Sequence, residues 1–247
     1  MSEKTSHIVI IGAGMGGLAT AIRVASAGYG VTLLEAADGP GGKMRTVHSA
    51  AGPVDAGPTV VTMRHQFDDL FKLAREDIAD HVTLEAEPLL ARHWWPDGSS
   101  LDLFADIDQS RDAIAAFAGT READAFAAFS ARAARLFEAF EAPMMEAPAP
   151  SLGSMTAAVL RQPSIIPDMG ALRSLAGELK RTFKDARLRQ LFGRYSTYVG
   201  GHPAQSPAIL QLIWHAEASG VWRVQGGMAR LAEALAGLAE RMGVDLR

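Results

Sequence analysis

The chain is 247 residues long, enough for one large domain or two ordinary ones, with 48% apolar and 21% charged residues. A net charge of -4 gives no global reason to expect nucleic acid as a partner. The absence of cysteine excludes disulfides, thiolate metal sites, iron–sulfur clusters and a cysteine nucleophile, and it fits a cytosolic compartment.

The apolar N-terminal run from Ile8 to Leu34 is cut by glycines and by Arg23, so it reads as neither a signal peptide nor a membrane span. His7–Ile11 is a β-branched run of the kind expected of a buried parallel strand. Gly12, Gly14 and Gly17 then complete G-x-G-x-x-G, with Ala13, Met15 and Gly16 between them. Leu18, Ala21, Ile22 and Ala25 follow at helical spacing, Gly28 and Gly30 end the helix, and Val31–Leu34 forms a second strand running into Glu35.

Strand, glycine turn, helix, strand and acid are the full context of a dinucleotide-binding segment. Gly12 permits the tight turn, Gly14 leaves room for a pyrophosphate against the backbone, and Gly17 lets the helix lie close to the strand. The helix N-terminus offers unpaired N–H groups and a partial positive charge to that pyrophosphate. Glu35, 18 residues beyond Gly17, stands where a carboxylate accepts hydrogen bonds from ribose hydroxyls and repels a 2′-phosphate, which argues against NADP. A second glycine doublet, Gly41 and Gly42, precedes Lys43 and Arg45. A second backbone approach beside two cations suits an extended cofactor, FAD rather than NAD.

Asp55-Ala-Gly57-Pro58 reads as a turn leading through Thr59 into another β-branched run. These three blocks, with Arg194–Leu235 ("RYSTYVGGHPAQSPAILQLIWHAEASGVWRVQGGMARLAEAL"), resemble the flavin-dependent amine oxidase and carotenoid desaturase superfamily. Gly220–Met228 is most similar to the hydroxyneurosporene desaturases of purple photosynthetic bacteria. The resemblance implies an α/β, glutathione-reductase-like fold: a Rossmann-like FAD-binding domain (1–75, resuming at 221–247) with an inserted α+β substrate domain (76–220). It covers about the first half of a family protein, implying an N-terminal fragment without the closing flavin-contact motif. It also implies FAD held by Gly12, Ala13, Gly14, Met15, Gly16, Gly17, Glu35, Gly42, Lys43, Arg45 and Thr59, and desaturation of a long apolar carotenoid at its 3,4-bond. Other carotene desaturases or isomerases, a flavin amine oxidase and a non-catalytic FAD-binding fragment remain open alternatives.

Further along, Arg92–Phe104 reads as a hairpin with its turn at Pro96-Asp97-Gly98-Ser99, placing Trp94 and Trp95 on opposite faces. From Asp108 to Phe140 the pattern is helical, and the stripe Phe126, Phe129, Ala133, Leu136, Phe137 and Phe140 reads as core. Glu146–Ser154 reads as a loop. Asp168–Tyr195 carries seven basic residues (Arg173, Lys180, Arg181, Lys184, Arg187, Arg189, Arg194) against three acidic ones, interleaved with leucine and phenylalanine. Either this is a solvated helical face or, given a lipid-borne substrate, a cytoplasmic enzyme attached peripherally to an anionic membrane surface. No zinc spacing, paired-carboxylate motif or G-x-S-x-G elbow occurs, and His202 and His215 read as packing or loop residues. No motif marks a catalytic base, a metal ligand or the final electron acceptor.

Overall fold

The β-branched N-terminal run forms β1 (His7–Ile11), and the glycine turn leads into α1 (Met15–Ser26) and β2 (Gly30–Leu34). A hairpin follows, β3 (Thr46–Ser49) and β4 (Gly52–Asp55), then α2 (His65–Leu73) and β5 (Leu84–Ala86). The middle of the chain folds as the hairpin β6 (Leu89–Trp94) and β7 (Ser100–Phe104), followed by α3 (Ile107–Ala118) and α4 (Thr120–Glu141). Five further helices complete it: α5 (Leu152–Arg161), α6 (Ile166–Met169), α7 (Leu175–Thr182), α8 (Ala186–Gly193) and α9 (Ile213–Ala218). The chain then enters β8 (Trp222–Val224), α10 (Met228–Arg241) and β9 (Asp245–Leu246).

This computed structural model describes residues 6–147, 149 and 151–247. It divides into two units: one runs to Glu87 and resumes at Val221–Arg247, the other is Pro88–Gly220. Residues 76–87, expected from the sequence in the inserted domain, belong with the first unit because β5 pairs antiparallel with β8.

In the first unit β1, β2 and β9 form a parallel sheet in that order, with Ile8 opposite Val31 and Thr32 opposite Asp245. One sheet face is covered by α1 and α10, whose Leu18, Ile22, Leu231, Leu235 and Leu238 pack with Leu33 in a single core. Truncating such a fully buried leucine costs about 2–5 kcal/mol. Among the described residues β1 stands at the edge of this three-stranded sheet with an alternating exposed pattern, and Ile11 is 86% exposed, where the sequence pattern expects a buried strand. The β-branched composition reports strand propensity, whereas burial requires a neighbour on both faces.

In the second unit the β6–β7 hairpin closes as expected, with Gly98 in the left-handed region and Leu101 and Leu103 buried. Trp94 faces solvent, whereas Trp95 lies 5.1 Å from the Phe117 ring and donates its indole N–H to Gln190 at 3.0 Å. The long helical pattern breaks at Gly119 (φ 95°), which separates α3 from α4. Phe126, Phe129, Ala133, Leu136, Phe137 and Phe140 are all buried. Phe129, Phe183 and Phe192 cluster with centroids 4.8–5.5 Å apart, Phe183 stacked on Phe192 and Phe129 tilted against both, and Trp214 meets Phe192 edge-on. Such ring pairs add about 0.5–1.5 kcal/mol beyond the area they bury.

Two other expectations change. The loop expected over 146–154 ends earlier, because Ser151 and Ser154 form a reciprocal capping box that starts α5 at Leu152; residues 148 and 150 lie outside the described residues. The basic stretch is not one helix. Gly170 is left-handed at the end of α6, and Ser174 and Asp185 cap the starts of α7 and α8. Among the described residues no helix is long and apolar enough to cross a membrane.

Candidate dinucleotide site

The glycine turn is built as its spacing requires. Gly12 takes φ 95°, a backbone that disfavours side chains, and donates its N–H to the Leu34 carbonyl at 2.6 Å. A Cβ on Gly17 would overlap the Gly12 carbonyl oxygen, so only glycine lets α1 rest on the turn. Gly14 caps α1 with extended backbone, and a Cβ on either Gly14 or Gly16 would meet nothing within 4 Å. The first turn of α1 carries no acidic residue. An open cradle at a helix N-terminus, with no acidic residue in the helix's own first turn, fits a pyrophosphate.

Glu35 closes this turn from the end of β2. One carboxylate oxygen accepts the Ala13 N–H at 2.6 Å and the other the Ala37 N–H at 2.9 Å. The Ala37 bond first, and the Ala13 bond second, hold its pKa below the usual glutamate value, so it is ionised at neutral pH. Each oxygen keeps a lone pair for a ribose hydroxyl.

The second glycine doublet lies against the first. Gly41 donates its N–H to the Ala13 carbonyl at 2.8 Å and bridges to Gly14, and a Cβ on Gly42 would stand 3.3 Å from the Gly14 Cα. The two glycine segments therefore meet, as a cofactor contacting both requires. A Cβ on Gly57 would overlap the Lys43 carbonyl oxygen, and the Ala56 N–H reaches the Arg45 carbonyl at 2.8 Å, which fastens the third block to the second. The side chains of Lys43, Arg45 and Thr59 are exposed and make no hydrogen bond within the described residues. The structure thus gathers Gly12, Ala13, Gly14, Met15, Gly16, Gly17, Glu35 and Gly42 around one turn, and leaves the last three reaching into solvent.

Sequence reasoning missed the role of Asp55. It reads as part of a turn, yet its Oδ1 accepts the Met228 N–H at 3.0 Å and so caps α10 from across the unit. Gly227 has φ 94°, and a Cβ there would press to 2.9 Å from that same oxygen. A second missed cluster lies in the other unit, where Glu217 accepts from Arg194 at 2.5 Å, Tyr195 at 3.0 Å and Tyr198 at 2.9 Å. Burial, then the Glu217 charge, push the Tyr198 phenol up to about 12.

A parallel sheet, a glycine turn on a helix N-terminus and a carboxylate bonded back to that turn define a dinucleotide-binding oxidoreductase fold. Residues 15–247 match the family described as flavin containing amine oxidoreductase, and the chain belongs to that family. The chain is 54% identical over 247 residues to a hydroxyneurosporene desaturase of Cereibacter sphaeroides, covering 100% of this chain and 50% of that protein. It is 51% identical over 242 residues to a hydroxyneurosporene desaturase of Rhodobacter capsulatus, covering 98% and 49%. Among solved structures, cyclohexylamine oxidase from Brevibacterium oxydans superposes with a TM-score of 0.58 at 20% identity, covering 98% of this chain and 51% of that one. That likeness shows the Rossmann-like, FAD-binding fold. The chain spans about half the length of the curated relatives it matches. FAD is the cofactor of this family fold, and the open cradle over Gly14 and Gly16, beside the abutting second glycine segment, fits it.

Proposed function

We propose that the full-length protein is an FAD-dependent carotenoid desaturase that introduces a C-3,4 double bond into 1-hydroxy- and 1-methoxy-neurosporene-type carotenoids. The observation that carries this reading is identity of 51–54% over essentially the whole chain to proteins named hydroxyneurosporene desaturase. FAD bound at the turn would supply the two-electron acceptor for the hydrogens leaving adjacent carbons. Gly12, Ala13, Gly14, Met15, Gly16 and Gly17 present backbone to its pyrophosphate, and Glu35 accepts from its ribose. Gly42 opens the second backbone contact, and the free side chains of Lys43, Arg45 and Thr59 close on the bound cofactor. Asp55, the last residue of the hairpin that follows Arg45 and precedes Thr59, bonds the start of α10.

The same reading makes the protein a cytoplasmic enzyme attached peripherally to an anionic membrane, because its substrate resides in lipid. Transfer of a polyene from acyl chains to an apolar pocket gains little, so docking relies on charge. Arg173, Arg187 and Arg194 are committed to Glu178, Asp185 and Glu217. Lys180, Arg181 and Lys184 are exposed, with side chains that make no ion pair within the described residues. Each contributes about 1 kcal/mol near an anionic surface. The test is product analysis: purified full-length protein with FAD, incubated with 1-hydroxyneurosporene in vesicles, yields the 3,4-dehydro product. Recovery of unchanged carotenoid by an FAD-loaded protein refutes the reading.

A further inference from the structure

The second unit contains a cavity of about 530 Å³ between α4, α9 and the start of α3, within the range of about 300–1,000 Å³ typical of small-molecule sites. Its α4 wall is Ala127, Ser130, Ala131 and Ala134, three and four residues apart on one helix face. Larger side chains at these positions would fill the space, so the sequence leaves a slot beside the buried rings of Phe126 and Trp214.

Two polar groups in this wall lack part of their hydrogen bonding. The Ser130 hydroxyl accepts the Trp214 indole N–H at 2.8 Å, and no described residue accepts the proton it has left to donate. The His215 ring lies 5.1 Å from Phe137 and makes no hydrogen bond within the described residues. Burial lowers the His215 pKa, opposed in lesser part by Glu141 and Glu138, so the ring is neutral at pH 7 with one donor and one acceptor. The charged groups at the cavity are Asp108 and Arg111 on α3, and Arg111 is held by Asp124 at 2.7 Å. A neutral, apolar ligand with one oxygen matches this lining better than a cation or an anion does.

We infer that this cavity receives the hydroxylated isoprenoid end of the carotenoid, with Ser130 and His215 bonding its oxygen and the alanine face of α4 accommodating its chain. The inference rests on the desaturase reading for its ligand, but not for its geometry. A carotenoid without the oxygen displaces water from Ser130 and His215 without replacing its hydrogen bonds, which costs it affinity.

The test uses full-length, FAD-loaded protein in vesicles with 1-hydroxyneurosporene and neurosporene. Binding is read as quenching of tryptophan emission by the polyene, and turnover by product analysis. Ala131→Phe fills the slot and should weaken binding of the hydroxylated carotenoid about tenfold or more with FAD content unchanged. Ser130→Ala is nearly isosteric but leaves the Trp214 indole N–H without its acceptor, so it is read as a ratio within one variant: the preference for the hydroxylated carotenoid over neurosporene should fall about fivefold. Equal quenching in wild type and both variants, or no quenching in wild type, overturns the inference whatever the turnover. Variant-sensitive quenching without any turnover upholds the cavity and refutes the desaturase reading instead.

Discussion

Substituting alanine at Gly17 and at Gly14 should separate two roles that share one turn. At Gly17 the added Cβ overlaps the Gly12 carbonyl oxygen, lies 3.0 Å from the Gly12 carbonyl carbon and touches Leu33 Cδ1 at 3.6 Å. The obstacle is backbone, so α1 must lift from β1, and overpacking of this kind costs about 1–3 kcal/mol. For a chain of this size that corresponds to a fall of roughly 2–12 °C in the melting temperature of the cofactor-free protein. At Gly14 the added Cβ meets nothing within 4 Å and the backbone, at φ -70° and ψ 176°, suits alanine. Gly14→Ala should therefore melt within about 2 °C of wild type without cofactor, which is under 1 kcal/mol. Its methyl group occupies the space the pyrophosphate needs, so FAD affinity should fall about tenfold or more. The assay is paired: scanning calorimetry of the apo protein and flavin-fluorescence titration. An apo Gly17→Ala that melts with wild type, or a Gly14→Ala that binds FAD normally, refutes the assignment of the two glycines.

Removing the Asp55 carboxylate by Asp55→Ala strips α10 of its cap and should lower stability by about 0.5–2 kcal/mol, read as a lower urea midpoint at unchanged slope. Glu35 has a folded pKa below its ordinary value of 4.5, so its contribution to stability is complete above that value. It is lost as pH falls from there through the depressed folded value. The stability gap between wild type and Glu35→Gln should be constant from pH 8 to about 6 and narrow on acidification; a gap that widens in acid reverses the sign of the argument. Replacing Lys180, Arg181 and Lys184 together by glutamate should move the protein from anionic vesicles into the supernatant at low salt, in a flotation assay. Unchanged partition sinks the electrostatic docking proposal.

The dinucleotide unit was legible because each of its constraints is local. A Gly12 that must take positive φ, a Gly17 that must lie on backbone and a Glu35 that ends a strand all leave single-residue traces. Asp55 was not legible in the same way, since its partner Met228 is 173 residues away and nothing in either segment alone names the other. The burial of β1 was not legible, because propensity says strand and only tertiary packing says covered. The basic stretch was misread as one helix because its charge and leucine periodicity continue across Gly170, Ser174 and Asp185, whose capping chemistry divides it into α6, α7 and α8. The core stripe of α4 was read correctly, since an aromatic every three or four residues can satisfy itself only by burial against other helices. The cavity beside that stripe was invisible, because alanines that line a slot and alanines that fill a helix look alike in sequence.

The central claim, that this fold uses bound FAD to desaturate a hydroxylated carotenoid, is tested most directly by an anaerobic single turnover. Full-length protein carrying oxidised FAD is mixed with 1-hydroxyneurosporene in lipid, and the flavin and polyene bands are followed together. The account predicts that the oxidised flavin absorbance bleaches as the polyene band moves to longer wavelength, one flavin reduced per double bond formed. A flavin that stays oxidised beside an unshifted polyene, yet bleaches when an amine is added, would contradict it.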